Sequence, residues 1–189
     1  MAESKNNIIT HGLSGKVGDI IVFSQRGSKT IVSKAPKERI GEPTEKQKKH
    51  IAKFQEATIY AKAALQEATT KAIYEKAAKP EKNISAYNVA VADMLGAPKI
   101  EEIDLSQYKG KKGDTISVKV TDDFKVVAVK VIIENADGTL VEEGNAKISA
   151  NGLDWIYTAT KENDDLTGDK ITIQATDLPD NLTEKEQKL

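Results

Sequence analysis

Between Phe124 and Ala159, apolar residues recur at every second position, the spacing that places alternate side chains on one face of a strand. Val127, Val129, Val131 and Ile133 make one such face, with Lys130 and Glu134 on the wetter one. Asn135-Ala136-Asp137-Gly138 follows, and Asp-Gly supplies the positive φ of a hairpin turn. Asn151-Gly152 repeats that signal ahead of Trp155 and Tyr157, which again share a face. Upstream, 100–105 reads as linker and first strand, Lys109 to Asp114 as a turn, and Ile116, Val118 and Val120 alternate. Ile171, Ile173 and Ala175 close the series, predicting roughly six or seven short strands over about 80 residues. Asp177 to Leu189 reads as a polar tail in which 183–186 can form a short helix.

The first half has a different rhythm. After a loose arm over 1–11, Gly12, Gly15 and Gly18 fall at every third position. A phosphate-binding loop would need Gly-Lys followed by Ser or Thr and then a helix. Here Val17 follows Lys16 and a strand pattern follows that, so a turn is the better reading. Asp19 to Phe23 is apolar and β-branched, Gln25 to Ser28 is turn-like, and Lys29 to Lys34 alternates, which predicts a β-hairpin. Thr44 and Gln47 match a capping box. Ile51, Phe54, Thr58, Ala61 and Leu65 then form a helical stripe, with a break over 66–70 and a second helix to about Lys79 carrying Ile73, Tyr74 and Ala77. Ser85 caps a third helix through Tyr87, Val89, Val91 and Leu95, which Gly96 can end in a left-handed conformation ahead of Pro98.

Charge sharpens this division. Residues 1–99 hold 17 basic against 10 acidic residues, a net of +7, and 100–189 hold 11 against 19, a net of -8. A basic half joined to an acidic half fits two domains and makes contact between copies electrostatically favourable. The sequence has no cysteine, which excludes disulfides and thiolate chemistry. The opening residues lack the apolar run of a secretory signal, and no segment is long enough to cross a bilayer. The expected location is the cytoplasm or a particle assembled there, a processed secreted form being the alternative.

Candidate chemistry is sparse. His11 and His50 are far apart and form no metal pair, and nothing surrounds either that resembles a serine triad. Asp164, Asp165 and Asp169 in an acidic loop are the calcium candidates, with Asp122-Asp123 or Asp177 able to lie at the same end. A solvated strand connection is the more ordinary reading of that loop. Trp155 and Tyr157 suit a sugar platform if exposed and a core if buried, and a W-x-Y strand favours the core. The hairpin bears Arg26, Lys29 and Lys34, with Lys37 and Arg39 beyond. This ribbon can follow nucleic acid or serve as a lysine-protected edge, and the lack of interleaved aromatics favours the edge.

Two resemblances follow from the residues quoted. The valine-rich strand, Asp137-Gly138-Thr139, Gly144-Asn145-Ala146, Trp155-Ile156-Tyr157 and Ala175-Thr176-Asp177 together resemble a bacterial immunoglobulin-like sandwich. GLSGKVGDIIVFSQRGSKTIVSKAP, KFQEATIYAK, SAYNVAVADML and the Ala97-Pro98-x-Ile100 ending resemble a family of bacterial proteins with no assigned activity, over most of 11–100. That second likeness implies a recurring module and no mechanism.

The expected fold is two-domain: an N-terminal α+β module over 1–98, a β-hairpin with about three helices, and an all-β immunoglobulin-like sandwich over 99–178, followed by a tail over 179–189. The expected function is a non-enzymatic structural or adaptor subunit of a larger assembly, such as a phage-type virion or contractile particle, with no cofactor and a protein or a second copy as partner. Surface adhesion with carbohydrate binding, and nucleic-acid binding through the basic half, are the alternatives. Arg26, Lys29, Ile31 and Lys34 are the interaction candidates. A two-stranded ribbon is marginal alone, so one edge is expected to accept a strand, either from a neighbour or from residues 1–10 with Ile8 and Ile9 as its apolar pair.

Overall fold

The computed structural model describes residues 2–4, 7–27, 29–37 and 41–189, which leaves Arg39 outside the described residues. Among them are three α-helices and three four-stranded antiparallel sheets, so the chain is mixed α+β and mostly β. It divides into two compact units, Met1–Lys49 with Pro80–Asn83, and His50–Lys79 with Ile84–Leu189.

The first unit is built on the expected hairpin. Strand β3 (Ile21–Arg26) returns as β4 (Lys29–Lys34) around Gly27, whose positive φ makes the reversal. The glycine-rich stretch leads into β2 (Gly15–Val17) and then β3, strands where a phosphate loop would need a helix. Strand β1 (Ala2–Ser4) lies along β4 with Glu3 opposite Ile31, giving the order β1-β4-β3-β2. The edge of β4 is therefore filled from within the chain. Residues 2–4 supply that strand, whereas Ile8 and Ile9 sit in the turn beyond it and are exposed. Closing a short loop costs little entropy, so nearby residues fill the edges of the ribbon first.

Helix α1 (Glu45–Ala64) starts at the capping box: the Gln47 amide N–H donates to Thr44 Oγ1 and the Thr44 N–H donates to Gln47 Oε1. Its buried face is Ala57, Ala61 and Ala64, so the expected stripe holds at Ala61 and Leu65 and fails at Ile51 and Phe54. Ile51 and Phe54 are exposed because the packing partners of α1 meet only its C-terminal half. Those partners come from α2 (Ala68–Ala77) and α3 (Ala86–Leu95), with Tyr74, Ala90 and Val91 at the centre and Phe124 and Leu178 against them. Ser85 caps α3 by accepting the Asn88 N–H at 3.3 Å. Gly96 ends it in extended conformation, φ -84 and ψ 158, in place of the expected left-handed turn. The chain runs straight on through Pro98 into the next strand, so no reversal is required.

Eight strands follow: β5 (Lys99–Asp104), β6 (Thr115–Thr121), β7 (Val126–Glu134), β8 (Leu140–Asn145), β9 (Lys147–Ile148), β10 (Asp154–Thr158), β11 (Lys170–Asp177) and β12 (Leu182–Lys188). They form two sheets, β5-β6-β10-β9 and β12-β11-β7-β8, whose inner faces share one core. The first sheet contributes Ile116, Val118, Val120, Trp155 and Tyr157, and the second Val129, Val131, Ile133, Ile171, Ile173 and Ala175. Val127 departs from its expected face. A bulge between Thr176 and Asp177 shifts the register there, so Val126 turns toward the core and Val127 outward. The C-terminal segment is the larger surprise. Where a tail with a short helix was expected, β12 pairs along the length of β11 from Thr176 opposite Leu182 to Lys170 opposite Lys188. Its polar composition suits an edge strand with both faces wet.

Gly144 shows how close the packing is. A methyl group at its α-carbon would lie 2.9 Å from Tyr157 Cε2, so the ring rests on bare backbone. Trp155 is 7 % exposed and lies in the same core. Replacing it with alanine is expected to cost about 3–5 kcal/mol, read as a lower urea midpoint and loss of the buried tryptophan emission. An unchanged midpoint would show that the indole contributes nothing to packing.

Candidate functional site

The four interaction candidates separate into a group and an outlier. Arg26, Lys29 and Ile31 line a groove of about 520 Å³ in the first unit, together with Glu3 and Lys82. Lys34 stands at the far end of β4, opposite Ile21. Ile31 is buried, flanked by Ser24 on β3 and Glu3 on β1. Lys29 pairs with Glu3 at 3.4 Å and Lys16 with Asp19 at 2.6 Å, so part of the basic charge is locally balanced. What the unit does present is apolar surface: Ile8 is 95 %, Ile20 72 % and Val17 60 % exposed. Neither Val17, which the sequence places in a turn, nor Ile20, within the hairpin segment 19–23, is among the interaction candidates named from the sequence. Among the described residues, no strand lies beside the outer edge of β2, which holds Val17.

The acidic loop 163–169 is organised around its own hydrogen bonds. Asp169 is buried, and its Oδ2 accepts from Asn163 Nδ2 at 2.7 Å. Asp165 Oδ1 accepts the Thr167 N–H at 2.9 Å, which holds that carboxyl below its ordinary range. Asp164 is exposed. The loop does not gather the three carboxylates as a set; among the described residues, the group that does converge is Asp93, Asp122 and Asp177. Asp122 and Asp177 thus do meet at one end of the two-sheet body, with Asp93 of α3 and not with the loop.

Three separate elements build this cluster. Asp93 lies on the inward face of α3, Asp122 in the turn after β6, and Asp177 at the end of β11. One carboxylate oxygen from each lies within 4.8 Å of the others. Tyr74 donates its hydroxyl to Asp93 Oδ2 at 2.6 Å, and the hydroxyls of Tyr60 and Tyr74 are 2.9 Å apart. Asp122 Oδ2 accepts the N–H groups of Phe124 and Lys125. Asn181 donates to both oxygens of Asp177 through its backbone and side chain, and its amide also reaches the Gly96 carbonyl at 2.6 Å. Asp93 Oδ1 is buried and has no hydrogen-bond partner.

Burial pushes the Asp93 carboxyl up to about 6; the Tyr74 hydroxyl acts against this, and the charges of Asp177 and Asp122 add to it. Burial likewise raises Asp177, against the donors of Asn181. The Tyr74 phenol is raised by burial first and then by its bonds to Asp93 and Tyr60. Asp93 was invisible to pattern reading because α3 scans as an apolar helix. Its signal was that same context, a lone acid between Ala92 and Met94 in an otherwise uncharged ten-residue helix.

No family model matches the chain, and no curated protein matches it. A crystal structure of an engineered protein aligns with a TM-score of 0.33 and 14% identity over 54% of this chain and 26% of that one, a likeness too slight to carry an argument. The chain therefore spans about a quarter of that protein's length. No helix among the described residues is long and apolar enough to cross a membrane.

Because Asp93 is raised in the folded chain, the fold holds its proton more tightly than the unfolded state does. Its contribution to stability is complete below the ordinary value of 3.8 and is lost as pH rises through about 6. Asp93→Asn keeps an acceptor for Tyr74 and carries no charge. In metal-free buffer, the melting temperature of Asp93→Asn minus that of the wild type should therefore grow between about pH 4 and 6 and then level off. Each pKa unit is worth about 1.4 kcal/mol, or roughly 3–6 °C for a chain of this length. A difference independent of pH would show that Asp93 does not titrate in this range.

Proposed function

We propose that the chain is a non-enzymatic structural or adaptor subunit of a larger assembly, of the phage-virion or contractile-particle kind, and that its first unit is the docking element. The observation that carries this reading is the exposure of Ile8, Val17 and Ile20 on a small four-stranded sheet whose β2 edge is open. Apolar side chains exposed beside an open strand edge are what a partner strand would cover. The partner we favour is another copy of the chain. The excess of basic residues in 1–99 and of acidic residues in 100–189 would draw the basic end of one copy to the acidic end of the next. We read the two-sheet body as an immunoglobulin-like domain, on the strength of two antiparallel sheets around a core containing Trp155. With Trp155 and Tyr157 in that core, the aromatic platform on which the carbohydrate reading relied is gone.

Sedimentation across a range of protein and salt concentrations tests this reading. The wild type is expected to associate as concentration rises and to dissociate as salt screens the contact. The double variant Val17→Glu with Ile20→Glu should remain monomeric, at least tenfold weaker in association, with the emission of Trp155 unchanged. A wild type that is monomeric at every concentration would overturn the self-association reading.

A further inference from the structure

We propose that Asp93, Asp122 and Asp177 bind a hard divalent cation of the calcium class at the junction of α3 with the ends of β6 and β11. Three carboxylates alone would not justify this, since exposed acids often gather without a ligand. The second observation is Asp93 itself: the residue is only 3% exposed, and its Oδ1 is buried without a hydrogen-bond donor among the described residues. A buried carboxylate oxygen without a partner costs free energy, and a cation is one of the few species that would satisfy it.

The remaining coordination chemistry agrees. The bonds from Tyr74 fall on Asp93 Oδ2 and those from Phe124 and Lys125 on Asp122 Oδ2, so Oδ1 of these two accepts no hydrogen bond among the described residues, while Asp177, whose two oxygens accept from Asn181, would use a remaining lone pair. Two oxygens on opposite sides of calcium, each at about 2.3–2.6 Å, stand roughly 4.6–5.2 Å apart. The separations here, all within 4.8 Å, do not exceed that upper limit. No lysine or arginine among the described residues forms an ion pair with any of the three. Lys53 comes to the end of α3 but donates to the Leu95 carbonyl at 3.0 Å. Three protein carboxylates with water completing the shell suit a weak site, with a Kd on the order of 0.1–1 mM.

The test uses the full chain at neutral pH after treatment with chelator. Calcium at 10 mM should raise the melting temperature by roughly 3–6 °C, from a Kd near 1 mM and the size of the chain. Terbium should bind at the same place and emit on excitation of tyrosine, because the Tyr74 ring is hydrogen-bonded to a ligand carboxylate. Asp122→Asn keeps the turn's acceptor for Phe124 and Lys125 and should lose both responses, as should Asp93→Asn, while Asp165→Asn should keep them. Melting of each variant in chelator shows that it is folded. No calcium shift and no terbium emission in the wild type would overturn the proposal. So would responses that survive in both Asp122→Asn and Asp93→Asn, and their loss in Asp165→Asn alone would place the cation in the 163–169 loop.

Discussion

The packing of the helices depends on Tyr74. It is fully buried, its ring stacks on Phe124 with centroids 5.2 Å apart, and its hydroxyl bonds to Asp93 and faces the Tyr60 hydroxyl. The helices around it bury chiefly alanine, and alanine offers little apolar area. Three largely alanine-faced helices, two of them only ten residues long, do not make a core of their own. They gain one by borrowing Phe124 from the turn between β6 and β7 and Leu178 from the end of β11. One aromatic residue on α2 therefore reaches both α3 and the sheets, through contacts of two kinds.

That arrangement explains why an acid lies in the interior. The phenol of a buried tyrosine needs an acceptor, and Asp93 Oδ2 supplies it. Asp93 then brings a second oxygen into a region already occupied by Asp122 and Asp177, and there like charges and burial act together. The donors present go to the other acids: Asn181 serves Asp177 and the carbonyls ending α3, and backbone amides serve Asp122. Among the described residues, Asp93 Oδ1 is the buried carboxylate oxygen of this junction that is left without a hydrogen-bond partner. Breaking the Tyr74 contact would remove the one donor that Asp93 has and strand both groups, which is costlier than never having buried them.

Much of the two-sheet body was legible because its signals are local. The alternation at Ile116, Val118 and Val120, the turns at Gly138 and Gly152, and the inward Trp155 and Tyr157 each follow from a few adjacent residues. The capping pairs at Thr44–Gln47 and Ser85–Asn88 are equally local. What escaped was set by distant partners. Ile51 and Phe54 look like core residues, but the apolar cluster that α1 joins gathers at Ala57, Tyr60, Ala61 and Ala64. β12 has no apolar alternation to reveal it, because its identity as a strand comes from the free edge of β11. The carboxylate cluster joins positions 93, 122 and 177, and no spacing rule connects them. Asp122-Asp123 or Asp177 was expected beside the 163–169 loop, whereas Asp122 and Asp177 meet Asp93, which could be placed only once α3 was packed.

Edge management follows the same logic in both β regions, with different outcomes. In the two-sheet body the outermost strand β12 carries Glu184, Lys185, Glu186 and Lys188, and Lys170 bridges across to Glu186 and Glu134. Charges along an edge impose a desolvation cost on any strand that would add to it. In the first unit the edge strand β2 is Gly-Lys-Val, with one charge, Lys16, drawn to Asp19, and an exposed valine beside it. The charged edge disfavours pairing and the near-neutral one tolerates it. Of these two edges, the charged one at β12 therefore opposes an added strand more than the one at β2 does.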